Sequence, residues 1–192
     1  MATASLQPPL RRAVGSVARA EALISQVLRF AQGQAMEQQS VDLKQCLTDM
    51  QPMLRWIADN TMRVDVQIDA EVPPLFCSRF DLEAAILNVA LNAHEAMPGA
   101  GTLSITAIPL RSGQAIEGVA ISIADTGRGM SPQTRSRAME PFFTTNATGG
   151  GNGLGLAMVR RFAREAGGDV AIESQLGIGT TVTLRLPIGS KR

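Results

Sequence analysis

Apolar residues recur at steps of three and four along the first part of the chain, a spacing typical of one face of an α-helix. This pattern predicts a helix from about Leu6 to Gln34. A single helix of that length cannot bury its apolar stripe by itself. It therefore either pairs with a partner helix or folds back on its own domain. The partner helix would come from another chain, as in a homodimer through residues 6–34, or from a segment that is not in this sequence. The sequence leaves both arrangements open.

The rest of the chain switches between helical spacing and the apolar–polar alternation of strands. After a polar connector at residues 34–40, the pattern predicts helices within 41–60, at 79–97 and at 154–166, and a short helix that opens at Ser131–Pro132. It predicts strands at 62–69, 102–108, 119–124, 169–174 and 180–186. This order indicates an α/β fold, a two-layer α/β sandwich in which a mixed sheet carries helices on one face.

The same pattern sets the expected domain boundaries. We expect a helical segment at residues 1–34, a linker at 35–40, one α/β domain at 41–188 and a short tail at 189–192. Apolar residues make up 45% of the chain, which is enough for one hydrophobic core.

Composition narrows the range of functions. With 18 basic and 17 acidic residues, the chain gives no electrostatic reason to expect a nucleic acid or an acidic membrane as a partner. Cys46 and Cys77 are widely spaced and form no metal-ligand pattern, so we expect reduced thiols and a cytoplasmic location. No apolar run approaches the roughly 18 residues of a membrane span, and we expect no membrane segment here.

The predicted helix at 79–97 carries a row of polar side chains. Asn88, Asn92 and Glu95 lie at i, i+4 and i+7 and therefore share one helix face. Such a row is either a solvated face or the wall of a site, where an amide oxygen suits Mg²⁺ beside phosphates and water. His94 is the only histidine in the chain and lies roughly 200° around the helix from Asn92.

A second motif, DTGRGM, directly follows the apolar strand predicted at 119–124. Asp125 at the strand end can accept a hydrogen bond from an exocyclic amine, and Gly127 and Gly129 allow the backbone to approach a flat ring. An ordinary strand-to-helix turn explains this motif alone equally well.

About half of the 18 glycines cluster in a few loops, most densely in TGGGNGLGLAMV at 148–159. Backbone N–H groups that run into a helix N-terminus form an anion site suited to phosphates. A dinucleotide-binding turn is the alternative, but the G-x-G-x-G spacing and the absence of a preceding strand oppose it. The remaining cluster, GIGTT at 177–181, by itself predicts a hairpin turn.

Taken together and in this order, these motifs resemble the ATP-binding catalytic domain of sensor histidine kinases, within the superfamily shared with gyrase, Hsp90 and MutL. The resemblance covers roughly Val41 to Pro187 and rests on LNVALNAHEAM, DTGRGM, EPFFTT, GNGLGL and GIGTT. It implies the Bergerat ATP-binding fold. The segment at 1–34 is similar to the second helix of the dimerisation and phosphoacceptor hairpin of these kinases.

The resemblance also implies roles for single residues. Asn92 matches the Mg²⁺-ligating asparagine, Asn88 its partner near the phosphates, and Asp125 the carboxylate that reads the adenine amine. The other nucleotide-contacting positions include the glycines beside the base, the aromatic anchor of a mobile lid at 141–153, and the lid and phosphate contacts: Gly127, Gly129, Phe142, Phe143, Thr145, Gly151, Gly153, Leu154, Gly155 and Thr180.

The implied reaction transfers the γ-phosphoryl group of ATP to a histidine, which then serves the receiver domain of a response regulator in a bacterial two-component system. Asn88 stands where ATP-hydrolysing and serine-directed relatives typically carry a glutamate base, so catalysis here would rest on positioning and Mg²⁺ electrostatics. The acceptor histidine belongs on a preceding helix, and His94 is in the wrong motif. We therefore expect the acceptor to come from outside this chain, in cis in a longer form of the protein or in trans.

Two alternatives stay open. One is a regulatory module that binds nucleotide but transfers nothing. Two departures from the family pattern support it: Asn146 stands where many relatives have a lysine, and the acceptor histidine is missing. An ATP-hydrolysing clamp of the same superfamily is the other alternative, which Asn88 disfavours.

Overall fold

The computed structural model describes residues 37–59, 61–145 and 152–189. These residues belong to one compact unit that begins at Glu37. The helix predicted at 6–34, together with Asn146 and Gly151, lies outside the described residues.

The described chain contains one large sheet and one small one. The strands are β1 (Gln39–Val41), β2 (Met62–Ile68), β3 (Leu75–Cys77), β4 (Gly101–Ser112), β5 (Ala115–Asp125), β6 (Asp169–Gln175) and β7 (Gly179–Pro187). The large sheet has the order β2-β4-β5-β7-β6. Only β2 and β4 run parallel, and the other neighbours are antiparallel. The predicted mixed sheet is confirmed.

Four helices accompany the strands in the described residues: α1 (Leu43–Ala58), α2 (Arg79–Ala96), α3 (Pro132–Arg137) and α4 (Gly155–Glu165). Helices α1 and α2 begin at side-chain caps, because Asp42 accepts from Lys44 N and Gln45 N and Ser78 accepts from Asp81 N. α2 packs between α1 and α4 and contacts the sheet, so the core lies between the helix layer and one face of the sheet. The α/β sandwich is confirmed.

Some element bounds differ from those that the sequence predicts. The strands predicted at 102–108 and 119–124 are parts of one long β4–β5 hairpin that turns at Gly113. Pro109 does not end β4. Its backbone, like that of Ala107 two residues earlier, is directed towards β2, and the pairing of β4 with β2 stops at Ala107. The missing N–H of Pro109 therefore removes no sheet hydrogen bond.

The sequence prediction also missed β1 and β3, which pair antiparallel as a separate two-stranded sheet. Each strand is only three residues long, and so few residues do not reveal a period of two. This small sheet ties the start of the described chain to the segment just before α2, because Gln39 lies opposite Cys77.

Candidate functional site

Asp125, the last residue of β5, lies at the centre of a backbone hydrogen-bond arrangement. Its Oδ1 accepts from Gly127 N at 2.8 Å and from Thr180 N at 3.3 Å. Thr180 is also its partner in the β5–β7 register. Among the described residues no donor to Oδ2 is found, so one oxygen is fixed by the fold and the other can accept from a ligand.

Burial raises the pKa of Asp125 above its ordinary value, while the backbone hydrogen bonds from Gly127 and Thr180 act in the opposite direction. Partial removal from water disfavours the charged form of a carboxyl group, and desolvation is the larger effect here. A carboxylate in such an environment gains from a hydrogen-bond donor that reaches it.

The loop after β5 lies against the end of α2. A methyl group added at Gly127 would lie 2.7 Å from the carbonyl oxygen of Ala96, and Arg128 N donates to that same oxygen at 3.0 Å. Gly129 has a φ of 62° and leaves no room for a side chain beside Gln175 O. Glycine is therefore required at both positions, by close packing at the first and by close packing and conformation at the second.

Ser174 holds this loop to the β6–β7 hairpin. Its hydroxyl donates to Gly179 O at 3.0 Å, accepts from Met130 N at 2.8 Å and lies 2.9 Å from the hydroxyl of Thr180. The sequence does not reveal this role, because a single serine in a strand forms no pattern. The predicted hairpin turn at GIGTT is confirmed, and it packs against the end of β5.

About one to two turns before Ala96 on the same helix, α2 presents its two asparagines to α4. A methyl group added at Gly155 would lie 3.6 Å from Asn88 Oδ1 and 3.6 Å from Asn92 Nδ2. Asn88 is half-buried and Asn92 is exposed. The lack of a side chain at Gly155 thus leaves a small cradle bordered by both amides and by the start of α4.

The N-terminus of α4 has no side-chain cap. Leu154 occupies the cap position without such a hydrogen bond, and Asn152 Oδ1 accepts from Leu154 N at 3.0 Å, one residue before the helix begins. The N–H groups of a first helical turn have no partner inside the helix, and an anion can satisfy them. These groups lie beside the cradle at Gly155.

The two ends of the predicted lid are joined at their base. Phe142 N donates to Gly153 O at 2.9 Å, and Gly153 leaves no room for a side chain against the backbone of Phe142 and Phe143. Phe142 has a φ of 65° and is 76% exposed, while Phe143 lies under the guanidinium of Arg137, 4.3 Å from the ring centre. Phe143 is thus the packed aromatic residue at this base, and Phe142 is the exposed one.

Four further residues that the sequence singled out differ in how far they are exposed or described. Thr145 is exposed at the end of the described part of the lid, and Leu154 is half-buried. Gly151 lies outside the described residues. His94 is half-buried on α2, and its position two residues from Asn92 places it on another helix face.

The donor set fits a magnesium ion that is shared with a phosphorylated ligand. In the described ranges no group of three or more His, Cys, Asp or Glu side chains could hold a metal by itself. Mg²⁺ instead often keeps waters and binds through few protein oxygens plus substrate phosphates. The amide of Asn92 at the cradle can present such an oxygen after rotation about its last torsion angle.

Comparison with known proteins places this geometry in a family. Residues 78–190 match the family of histidine kinase-, DNA gyrase B- and HSP90-like ATPases, and the chain belongs to that family.

The helices that the structure describes include none that is long and apolar enough to cross a membrane.

The relatives found in this family include sensor kinases. The chain is 30% identical over 179 residues to the sensor kinase CckA of Brucella abortus. This alignment covers 88% of the chain and 19% of CckA. It is 34% identical over 168 residues to the signal transduction histidine-protein kinase AtoS of Escherichia coli. That alignment covers 86% of the chain and 26% of AtoS. The chain thus spans about a fifth to a quarter of these two relatives.

Solved structures show the same likeness. Full-length ShkA in complex with AMPPNP is similar with a TM-score of 0.74 and 28% identity, over 94% of this chain and 39% of that one. The mycobacterial sensor histidine kinase MprB shares the fold, with a TM-score of 0.66 and 24% identity, over 78% of this chain and 97% of that one.

Proposed function

We propose that this chain is the Mg·ATP-binding catalytic part of a bacterial sensor histidine kinase. The observation that supports the proposal most strongly is that two different sets of groups lie along one helix, α2, and together form one site. The glycine loop after Asp125 rests on the C-terminal end of α2, and Asn88, Asn92 and Gly155 meet about one to two turns earlier. The first set suits a base with an exocyclic amine, and the second suits phosphates.

In this proposal the adenine amine donates to Oδ2 of Asp125, whose Oδ1 is already fixed by Gly127 and Thr180. Because that orientation is set before the ligand arrives, little ordering of the carboxylate is needed on binding. The phosphates lie at the first turn of α4 beside the cradle. Thr145, Phe142 and Gly151 belong to the lid that covers them, and the contact between Phe142 and Gly153 fixes the base of that lid.

Asn92 would hold Mg²⁺, and Asn88 would position the phosphates. Bound Mg²⁺ neutralises part of the charge on the phosphate oxygens. Neither amide can remove a proton, so these residues position groups without acting as a base. A histidine nitrogen of the acceptor attacks the γ-phosphorus, the new P–N bond forms, the P–O bond to ADP breaks, and ADP leaves with the bonding electrons.

The acceptor histidine comes from another segment or another chain, because His94 lies on a different face of α2 from the asparagines. We further propose that the phosphoryl group passes to a response-regulator receiver domain, and that residues 6–34 form a dimerisation helix. The sensor kinases among the relatives support these assignments, although the chain covers only a part of each.

The test is phosphoryl transfer in trans. The whole chain is incubated with γ-labelled ATP, Mg²⁺ and a histidine-bearing hairpin from a sensor kinase, and the same hairpin with histidine replaced by glutamine is the control. We expect acid-labile label on the first hairpin only. Tight nucleotide binding without any labelled hairpin would instead favour the non-transferring regulatory module, and steady ATP turnover by the chain alone would favour the hydrolysing clamp.

A further inference from the structure

Strand β2 ends the large sheet on one side. Its one partner in the described residues is β4, and no described strand lies along its other edge. Asp69 N donates to Ala107 O, and the parallel register with β4 is regular throughout. Backbone groups alternate in direction along a strand, so residues of the same parity as Asp69 face β4. The N–H and C=O groups of the other set therefore face outward from the sheet, and this set is Met62, Val64, Val66 and Ile68.

An open groove runs beside this edge. Its volume is about 430 Å³, and it is lined by Met62, Val64 and Val66 of β2 and by Leu54, Arg55 and Ala58 of α1. Val64 and Val66 are only half-buried, because α1 does not cover the rim of the sheet. An edge with free backbone groups and half-covered valines is ready to pair with another strand.

The charges on the other face of β2 indicate which strand fits. Arg63 and Asp65 are neighbours on that face, with Nε of Arg63 2.8 Å from Oδ1 of Asp65. In an antiparallel pair of two β2 strands centred on Val64, Arg63 of each copy lies opposite Asp65 of the other. Centring the pair on Arg63 or on Asp65 places like charges opposite each other, which destabilises a strand pair.

The backbone favours the same register. Centred on Val64, the pair joins Val64 to Val64 and Met62 to Val66, and all of these residues direct their N–H and C=O groups outward. They form the hydrogen-bonded pairs of an antiparallel ladder, while Arg63 and Asp65 fall in the non-hydrogen-bonded positions, where side chains come closest. Val64 and Val66 of the second copy then lie beside those of the first copy and cover part of the groove.

We propose that the free edge of β2 is a self-association surface, which joins two copies of this domain into one continuous sheet through a two-fold pair centred on Val64. A two-fold interface of this kind uses the same patch on both copies. The proposal is independent of nucleotide binding and of residues 6–34, because it uses only β2 and the groove beside it.

Charge reversal tests the proposal. Sedimentation equilibrium over a range of concentrations is measured for the whole chain, for Arg63→Asp, for Asp65→Arg and for an equimolar mixture of these two variants. The control is Arg185→Asp, which disrupts an Arg–Asp contact between β7 and β6. Arg185 lies on β7, a strand with neighbours on both sides. Each variant changes a side chain at the protein surface, and circular dichroism verifies that each one folds.

We expect each β2 variant to weaken the association at least tenfold, the mixture to restore it, and Arg185→Asp to leave it unchanged. Restoration follows because the mixed pair places a strand with two acidic residues opposite a strand with two basic ones, so that every charge meets its opposite. Any dimer that forms through residues 6–34 is common to the wild type and the variants, so the β2 contact is read from the difference in association between them. No such difference at any concentration, or a mixture that does not reassociate, would overturn the proposal.

Hydrogen exchange adds a local readout of the same pairing. The amides of Val64 and Val66 point outward and should exchange more slowly as the protein concentration rises. The amide of Asp65 faces β4, and its exchange rate should not change. Concentration-independent exchange at Val64 and Val66 in an associating sample would place the contact elsewhere and contradict the proposal.

Discussion

Thr180 N donates to Oδ1 of Asp125 across the register pair that joins β5 and β7. This contact links two motifs that are 55 residues apart in sequence, and among the described residues Oδ2 of Asp125 receives no hydrogen bond. The proposed recognition of an exocyclic amine depends on that oxygen and on its charge.

The charge of Asp125 predicts a pH dependence. Its pKa is raised by burial, so the carboxylate protonates at a pH above the ordinary value of about 3.9. We expect AMPPNP affinity to fall as the pH decreases through this raised pKa, because the neutral acid is a weaker acceptor. Isothermal titration calorimetry at several pH values measures the effect, and an affinity that stays flat down to pH values of about 4 would count against it.

The same shift predicts the sign of a stability effect. Above the raised pKa the folded protein holds a partly desolvated charge that the unfolded chain keeps in water, so this group lowers stability there. This loss of stability becomes smaller as the pH falls through the raised pKa, because the folded protein then holds Asp125 in its neutral form. Asp125→Asn keeps an oxygen that can accept from Gly127 and Thr180, and it should melt at the same temperature as the wild type or higher near neutral pH. Thermal unfolding checks this, and clear destabilisation would contradict it.

Gly155→Ala tests the cradle. A methyl group there meets the asparagine amides at ordinary contact distances, so the variant should fold with unchanged or slightly raised stability, by up to about 1 kcal/mol. We expect AMPPNP affinity to drop roughly tenfold or more, because the methyl group fills space beside the first turn of α4. Gly189→Ala, where the added methyl group would contact nothing within 4 Å, is the matched control.

Gly179→Ala separates packing from backbone conformation. Its φ is 142°, and a methyl group would collide with Asp125 O, whereas the methyl group of Gly177→Ala enters open space at a φ of 78°. We expect Gly177→Ala to cost about 1 kcal/mol from backbone strain and Gly179→Ala at least about 2 kcal/mol from strain plus collision. Urea unfolding compares the two, and equal losses would show that the close contact at Asp125 is unimportant.

The cysteines should be unreactive in the folded protein. Burial is the main cause that raises the pKa of Cys46 to about 12 and that of Cys77 to about 11. Since the thiolate is the reactive form, we expect no alkylation by iodoacetamide near neutral pH without denaturant, and modification of both residues in urea. Stability should also fall as the pH rises above about 9, where the unfolded thiols ionise first. Rapid native labelling, followed by mass spectrometry, would contradict this account.

Local signals in the sequence predicted the order of most elements and the loops that carry glycine, because helical spacing, strand alternation and glycine runs each involve only neighbouring residues. They did not predict that Ser174 joins the loop after β5 to the β6–β7 hairpin, since that role depends on contacts between distant segments. Nor did they identify β2 as the edge strand. The alternation Met62-Arg63-Val64 would look the same in a strand with two neighbours, and only the sheet order distinguishes them.

Nucleotide binding by the whole chain tests the central claim most directly. Calorimetric titration with AMPPNP, with and without Mg²⁺, is carried out on the wild type, on Asp125→Asn and on Asp169→Asn, an exposed aspartate on β6 that pairs with Arg185. The account predicts Mg²⁺-enhanced binding by the wild type and by Asp169→Asn, and a loss of roughly 10- to 100-fold for Asp125→Asn. Equal affinity of Asp125→Asn and the wild type, or no binding by the wild type, would contradict it.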